Sequence, residues 1–224
     1  MEITVVGYKR ASVPAERATV HLMAGFESGD KSEAMTRATS LVGKLTAHIQ
    51  VLEGAGSSPI TWYAVLPMET RSWRPHSDSG AILPLRHQVS AEVKVKFRDF
   101  AALAHFVQQV GGTAGVTLHH VEWTLTEVTQ ERLRQQLLAQ AVAEATSRAV
   151  TLATAAGAAE VVPLEIADPG LLSGVGGAMT TLSVGGTSWR GAHLSDSSPS
   201  GEGVRVLPED IVLEAEVHAR FGAT

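Results

Sequence analysis

The sequence predicts an α+β fold, antiparallel sheet with helices packed on one face. Strict alternation is the first sign. Val89, Ala91, Val93, Val95 and Phe97 alternate with Gln88, Ser90, Glu92, Lys94 and Lys96, the mark of a strand with one buried and one wet face; strands of doubly wound parallel sheets read instead as continuous apolar runs. The second is an alanine-rich stretch, 129–157, whose Leu133, Leu137, Ala141, Ala145, Ala149, Leu152 and Ala156 recur every three or four residues, along one face of a helix. The third is the order of such segments, ββαβ-βαβ-αββ, in which two strand–helix–glycine–strand units share a layout.

Taken in order, Ile3 to Tyr8 is a β-branched run and reads as the first strand. Pro14 marks a connection, and from Ala18 to Phe26 Val20, Leu22, Ala24 and Phe26 face one way, with Thr19 and His21 the other. Asp30 and Glu33 have capping-box spacing, and Ala34, Ala38, Leu41, Leu45, Ile49 and Leu52 follow at helical intervals before Gly54. Ile60, Trp62, Ala64, Leu66 and Met68 alternate with Thr61, Tyr63 and Val65, predicting a third strand with Trp62 in the core. The stretch 67–84 has no period and reads for the most part as a protruding loop or hairpin tip.

After the strand ending at Phe97, Asp99 caps a short helix with Phe100, Leu103, Val107 and Val110 inward, stopped by Gly111 and Gly112. From Val116 to Leu125 the strand slips phase. Val116 and Leu118 share one parity, whereas Val121, Trp123 and Leu125 share the other, so a β-bulge is expected at His119 and His120. In the long helix Thr129 is the expected N-cap, Glu131 lies in the first turn, and Gly157 takes the left-handed stop. An alanine stripe lets a neighbouring backbone approach closely. A short strand around Val162 to Ile166 follows, then a long Gly/Ser-rich loop over about 168–203. The last strand carries Ile211, Leu213, Ala215, Val217, Ala219 and Phe221 inward.

The 224 residues, 44% hydrophobic, suffice for one large domain, expected to span 1–224. A net charge of −5 without a basic block argues against nucleic acid as partner. The absence of cysteine excludes disulfides and thiol chemistry. No apolar run reaches the about 18 residues of a membrane span. The start at Met1 lacks basic and apolar signal regions and reads as a strand, so the expectation is a cytoplasmic protein, or a periplasmic or secreted one where a signal has been cut away.

Chemistry-bearing candidates are sparse. Adjacent His119 and His120 point to opposite faces of a regular strand, and neither Cys nor a carboxylate lies at ligand spacing, so a structural bulge or surface histidine outweighs a metal site. Gly174 to Ala178 lacks the ending of a phosphate loop and reads as a linker. Ser183, Ser188, Ser195, His193 and Asp196 share one loop without a nucleophile elbow. Trp62 and Trp123 fall in strands. Trp73 and Trp189 fall in irregular segments, where they are expected to anchor an arm on the body or on another subunit. No catalytic, cofactor-binding or metal-ligating residue is assigned, no cofactor is expected, and the small-molecule ligand, where there is one, is unknown.

These pieces resemble the SIMPL-domain family, which includes bacterial periplasmic immunogenic proteins of the outer-membrane-antigen type. The opening ITVVGYKRASVPAERATVHL is similar to the family's strand–Gly–Pro–strand start. LRQQLLAQAVAEATSRAVTLATAAGAAEVVPLEIAD is similar to its alanine-spaced helix, glycine and strand, and VLPEDIVLEAEVHARF to its closing strand; HQVSAEVKVKFRDFAALAHFVQQVGG fits the middle. The resemblance implies an α+β fold and, in some members, large ring- or cage-like homo-oligomers. It brings no catalytic residues. The expectation is a non-enzymatic, self-associating protein serving as an assembly or interaction scaffold; the alternative is a small-molecule-binding protein or hydrolase using 168–203 as a lid.

Overall fold

A computed structural model of the chain describes residues 1–76, 82–173 and 207–224. The elements are β1 (Glu2–Val13), β2 (Arg17–Ser28), α1 (Lys31–Glu53), β3 (Ile60–Val65), β4 (Glu69–Trp73), β5 (Arg86–Phe97), α2 (Phe100–Gly111), β6 (Val116–Thr124), α3 (Glu127–Ala155), β7 (Val161–Ala167) and β8 (Ile211–Ala223). The expected α+β class and antiparallel pairing hold. The added strand, β4, lies in the stretch read as irregular, where it runs antiparallel to β5 from Glu69 opposite Ser90 to Trp73 opposite Arg86. Its residues are largely polar and exposed, so backbone bonds to β5 hold it without an apolar period. The chain divides into two compact units, described separately below.

The unit spanning Ala15–Thr124 is a sheet of order β3-β5-β2-β6, with β4 also paired to β5. This is the split βαβ arrangement, in which two strand–helix–strand halves interleave. One face is the core. Val89, Ala91, Val93, Val95 and Phe97 are all at most 1% exposed; the last four share a cluster with Val20, Leu22, Leu45 and Ile49, whereas Val89 packs with Ala34 and Ala38. Asp30 caps α1, accepting from the backbone N–H of Ser32 and Glu33. Glu33 closes the box indirectly: the Ser28 hydroxyl donates to Glu33 Oε2 at 2.6 Å and accepts from the Asp30 N–H at 3.1 Å. Asp99 caps α2 in the same way. Phe106, which the spacing left out, is buried there beside Leu103 and Val110, whereas Phe100 and Val107 pack half-buried at the margin.

The phase slip in β6 is a bulge where expected: His21 pairs with His120 and Leu22 with Leu118, leaving His119 extra. A second bulge overturns the expectation for Trp62. Ile60 pairs with Phe97 but Trp62 with Lys96, so the extra residue, Thr61, reverses the faces of β3. Trp62 is turned outward, 48% exposed, and Tyr63 packs against the core instead. Thr19, expected on a wet face, is buried.

The other unit holds Met1–Pro14, the described residues from Leu125 to Ser173, and Asp210–Thr224. Its sheet has the order β1-β8-β7, and α3 covers one face. The helix starts earlier than expected. Thr126, not Thr129, is the N-cap, and its hydroxyl accepts from the Thr129 N–H. The buried row is Leu137, Ala141, Ala145, Ala149 and Ala153; Leu152 and Ala156, expected inward, are exposed. A row at steps of four winds slowly around a helix, along the ridge that lies oblique to its axis. Gly157 has φ +85° and stops the helix as expected. Gly7 of β1 lies directly under this row. A Cβ there would fall 2.8 Å from Ala145 Cβ and inside the Ala141 carbonyl oxygen.

Candidate functional site

Two surfaces stand out, one polar and one apolar. The polar one is on the face of the five-stranded sheet opposite its helices. His21 on β2, Glu92 on β5 and Glu122 on β6 occupy outward positions of three adjacent strands. His21 Nδ1 lies 3.2 Å from Glu92 Oε1 and Nε2 lies 3.3 Å from Glu122 Oε2. Carboxylates only accept, so in each contact the ring nitrogen is the donor. Lys94 Nζ joins the cluster, 3.4 Å from Glu92.

The β6 bulge places His120 directly opposite His21, and the two rings stack with centroids 4.3 Å apart. The hydrogen bond from His21 holds the Glu92 carboxyl below its ordinary range. Partial burial and then the neighbouring His21 lower the pKa of His120. Both His21 ring nitrogens thus face carboxylates of the neighbouring strands. Among the described residues no group of three or more His, Cys, Asp or Glu is arranged to hold a metal ion.

The apolar surface lies on the face of the three-stranded sheet turned from α3. Val6, Tyr8, Val162, Leu164 and Val212 are each 38–55% exposed there, interspersed with Glu2, Arg10, Glu165, Glu214, Glu216, His218 and Arg220. After β7 the chain returns to this face. Glu165 accepts from the Ser173 backbone N–H at 2.9 Å and from its hydroxyl, Arg220 donates to the Ser173 carbonyl, and Leu172 is buried. A groove of about 360 Å³ follows the β1 edge, lined by Val5, Val6, Leu152, Leu172, Arg148 and His218.

The family comparison bears on this arrangement. The sequence model of the SIMPL family, described as a protein of unknown function (DUF541), matches residues 3–221. The chain belongs to the SIMPL family. No curated protein matches it. The SIMPL match runs through both units, from β1 to β8. No helix among the described residues of this SIMPL chain is long and apolar enough to cross a membrane.

Of the expected anchors, Trp73 is the last residue of β4, half-buried, with the Arg71 guanidinium 5.8 Å from its ring centroid. Trp189 lies outside the described residues, as do the Gly174–Ala178 run and Ser183, Ser188, His193, Ser195 and Asp196. Trp123 is half-buried with its ring edge-on to Phe100 at 5.1 Å. The His21, Glu92 and Glu122 cluster escaped sequence reading. The parity of His21 and Glu92 marked them as outward, but only the strand register makes the three adjacent.

Proposed function

We propose that this SIMPL protein is a non-enzymatic, self-associating protein that serves as a homo-oligomeric assembly or interaction scaffold. The observation that carries the reading is the set of apolar side chains that remain exposed, among the described residues, on the face of the three-stranded sheet turned from α3. A sheet this small buries one side against α3 and leaves Val6, Tyr8, Val162, Leu164 and Val212 facing outward. Exposed apolar side chains favour association, since burying them gains about 25 cal/mol per Å², and the charged residues between them can pair across a partner. The ring- and cage-like homo-oligomers of some family members favour a second copy as the occupant. His21, engaged on both nitrogens, supports a structural role for the polar cluster over a catalytic one.

The test is light scattering coupled to size exclusion at high micromolar concentration. A particle of several chain masses is expected, and a clean monomer of 23.6 kDa overturns the reading.

A further inference from the structure

We infer that the outer edge of β1 is the surface on which a second copy adds its own β1, antiparallel, about a two-fold axis at Val6. The inference rests on the self-association reading above and specifies its interface. It comes from comparing the sheet edges among the described residues. On one side of the five-stranded sheet the edge is divided between β3 and β4, strands of six and five residues, and β3 carries the Thr61 bulge. On the other side β6 carries the His119 bulge. In the three-stranded sheet β7 contains Pro163, which has no N–H to donate, and shifts register between Pro163 and Glu165. Short strands, bulges and proline are the devices that keep sheet edges from pairing with other chains.

β1 is long, unbulged and free of proline, its charges being Glu2, Lys9 and Arg10. Its twelve residues run in unbroken register with β8, from Glu2 opposite Gly222 to Val13 opposite Ile211. Among the described residues its outer side has no strand partner, and it runs along the groove whose apolar lining includes Leu152 and Leu172. Strand addition draws affinity from such an edge and specificity from the side chains beside it.

Charge sets the register. With Val6 opposite the partner's Val6, Thr4 lies opposite the partner's Tyr8 and Glu2 opposite the partner's Arg10, and the two-fold repeats each pair. These side chains all lie on the face turned from α3. An axis normal to the sheet therefore sets Val6 against its own copy at the centre of the joined edges, flanked by Thr4 and Tyr8, with a Glu–Arg pair at each end. Moving the axis to Gly7 places Glu2 opposite the partner's Ser12 and loses both pairs. Arg10 now meets Glu214 at 3.5 Å in an exposed pair, weak enough to be shared.

The chain has no cysteine, so single cysteines report the register directly. Opposed Cα atoms in an antiparallel pair are about 4.5–5.5 Å apart, within reach of a disulfide. Val6→Cys should form a disulfide-linked dimer under mild oxidation, about ten-fold more than Thr4→Cys or Tyr8→Cys alone, whose sulfurs sit on residues about 14 Å from their own copies. Thr4→Cys and Tyr8→Cys mixed before oxidation should link to each other. The reduced variants are run on the light-scattering column to establish that they assemble like the parent. A parent that assembles while Val6→Cys fails to link, or while Thr4→Cys links to itself, overturns the β1 interface and leaves self-association standing. A monomeric parent overturns both.

Discussion

The two sheets are covered by helices of opposite make. α1 and α2 fill the space over the five-stranded sheet with Leu41, Leu45, Ile49, Leu103 and Phe106. α3 meets the three-stranded sheet with Ala141, Ala145 and Ala149, over a glycine. Large side chains hold a helix off a sheet and gain through buried area. Small ones let backbones approach and gain through close contact, with nothing flexible between to absorb a change. The first core should therefore suffer when atoms are removed, the second when atoms are added.

Removal has the largest expected effect. Phe106, 1% exposed, packs against Phe97 with ring centroids 5.4 Å apart. Phe106→Ala should lower the unfolding free energy by about 3–5 kcal/mol in urea titration. Addition comes next. Gly7→Ala puts a methyl against the α3 backbone, and should lose about 3 kcal/mol, the upper end of ordinary overpacking. Ala145→Leu should lose about 1–3 kcal/mol by the same mechanism. A Gly7→Ala chain as stable as its parent would mean that α3 can lift from β1 freely, and the contrast between the two cores would fail. Gly43 sharpens it from the other side. It sits exposed in the middle of α1 with nothing within 4 Å of an added Cβ. Gly43→Ala should stabilise by about 0.5–1 kcal/mol through helix propensity alone, read as a raised Tm.

The same contrast explains what the sequence made legible. β5 could be read residue by residue because its five inward positions are apolar and the residues between them polar. The His119 bulge was visible because an extra residue in an alternating strand leaves a parity break. The Thr61 bulge was not, because Trp62 and Tyr63 are both large aromatics and exchanging their faces leaves no trace. β4 was invisible because Glu69–Trp73 owes its place to the β5 backbone. In α3 the period was clear, but its pitch was not: intervals of three and four fit the sequence equally, and the oblique contact selects steps of four. The His21 cluster depends on three strands lying side by side in one register, which no local pattern encodes.

That cluster supplies the smallest expected effect, one seen in pH dependence. The pKa of His120 lies below its ordinary value in the fold, through burial and the stacked His21. His119, Glu122 and Glu92 also act on it, the first lowering and the two carboxylates raising it. The folded chain therefore holds fewer protons on this ring than the unfolded chain does. The associated stability is fully present above the ordinary imidazole value of about 6.5 and is lost as pH falls through the folded pKa. Glu92, lowered by its bond to His21, gives a loss of the same sign in a separate window, starting at the ordinary carboxylate value and extending downward. His120→Gln keeps a polar side chain on the bulge and removes the upper window. The parent's Tm should fall between pH 7.5 and 5.5 more steeply than the variant's, while both should decline in the carboxylate range. Parallel curves across the upper window would mean that the stacked ring meets water well enough to titrate as it does in the unfolded chain.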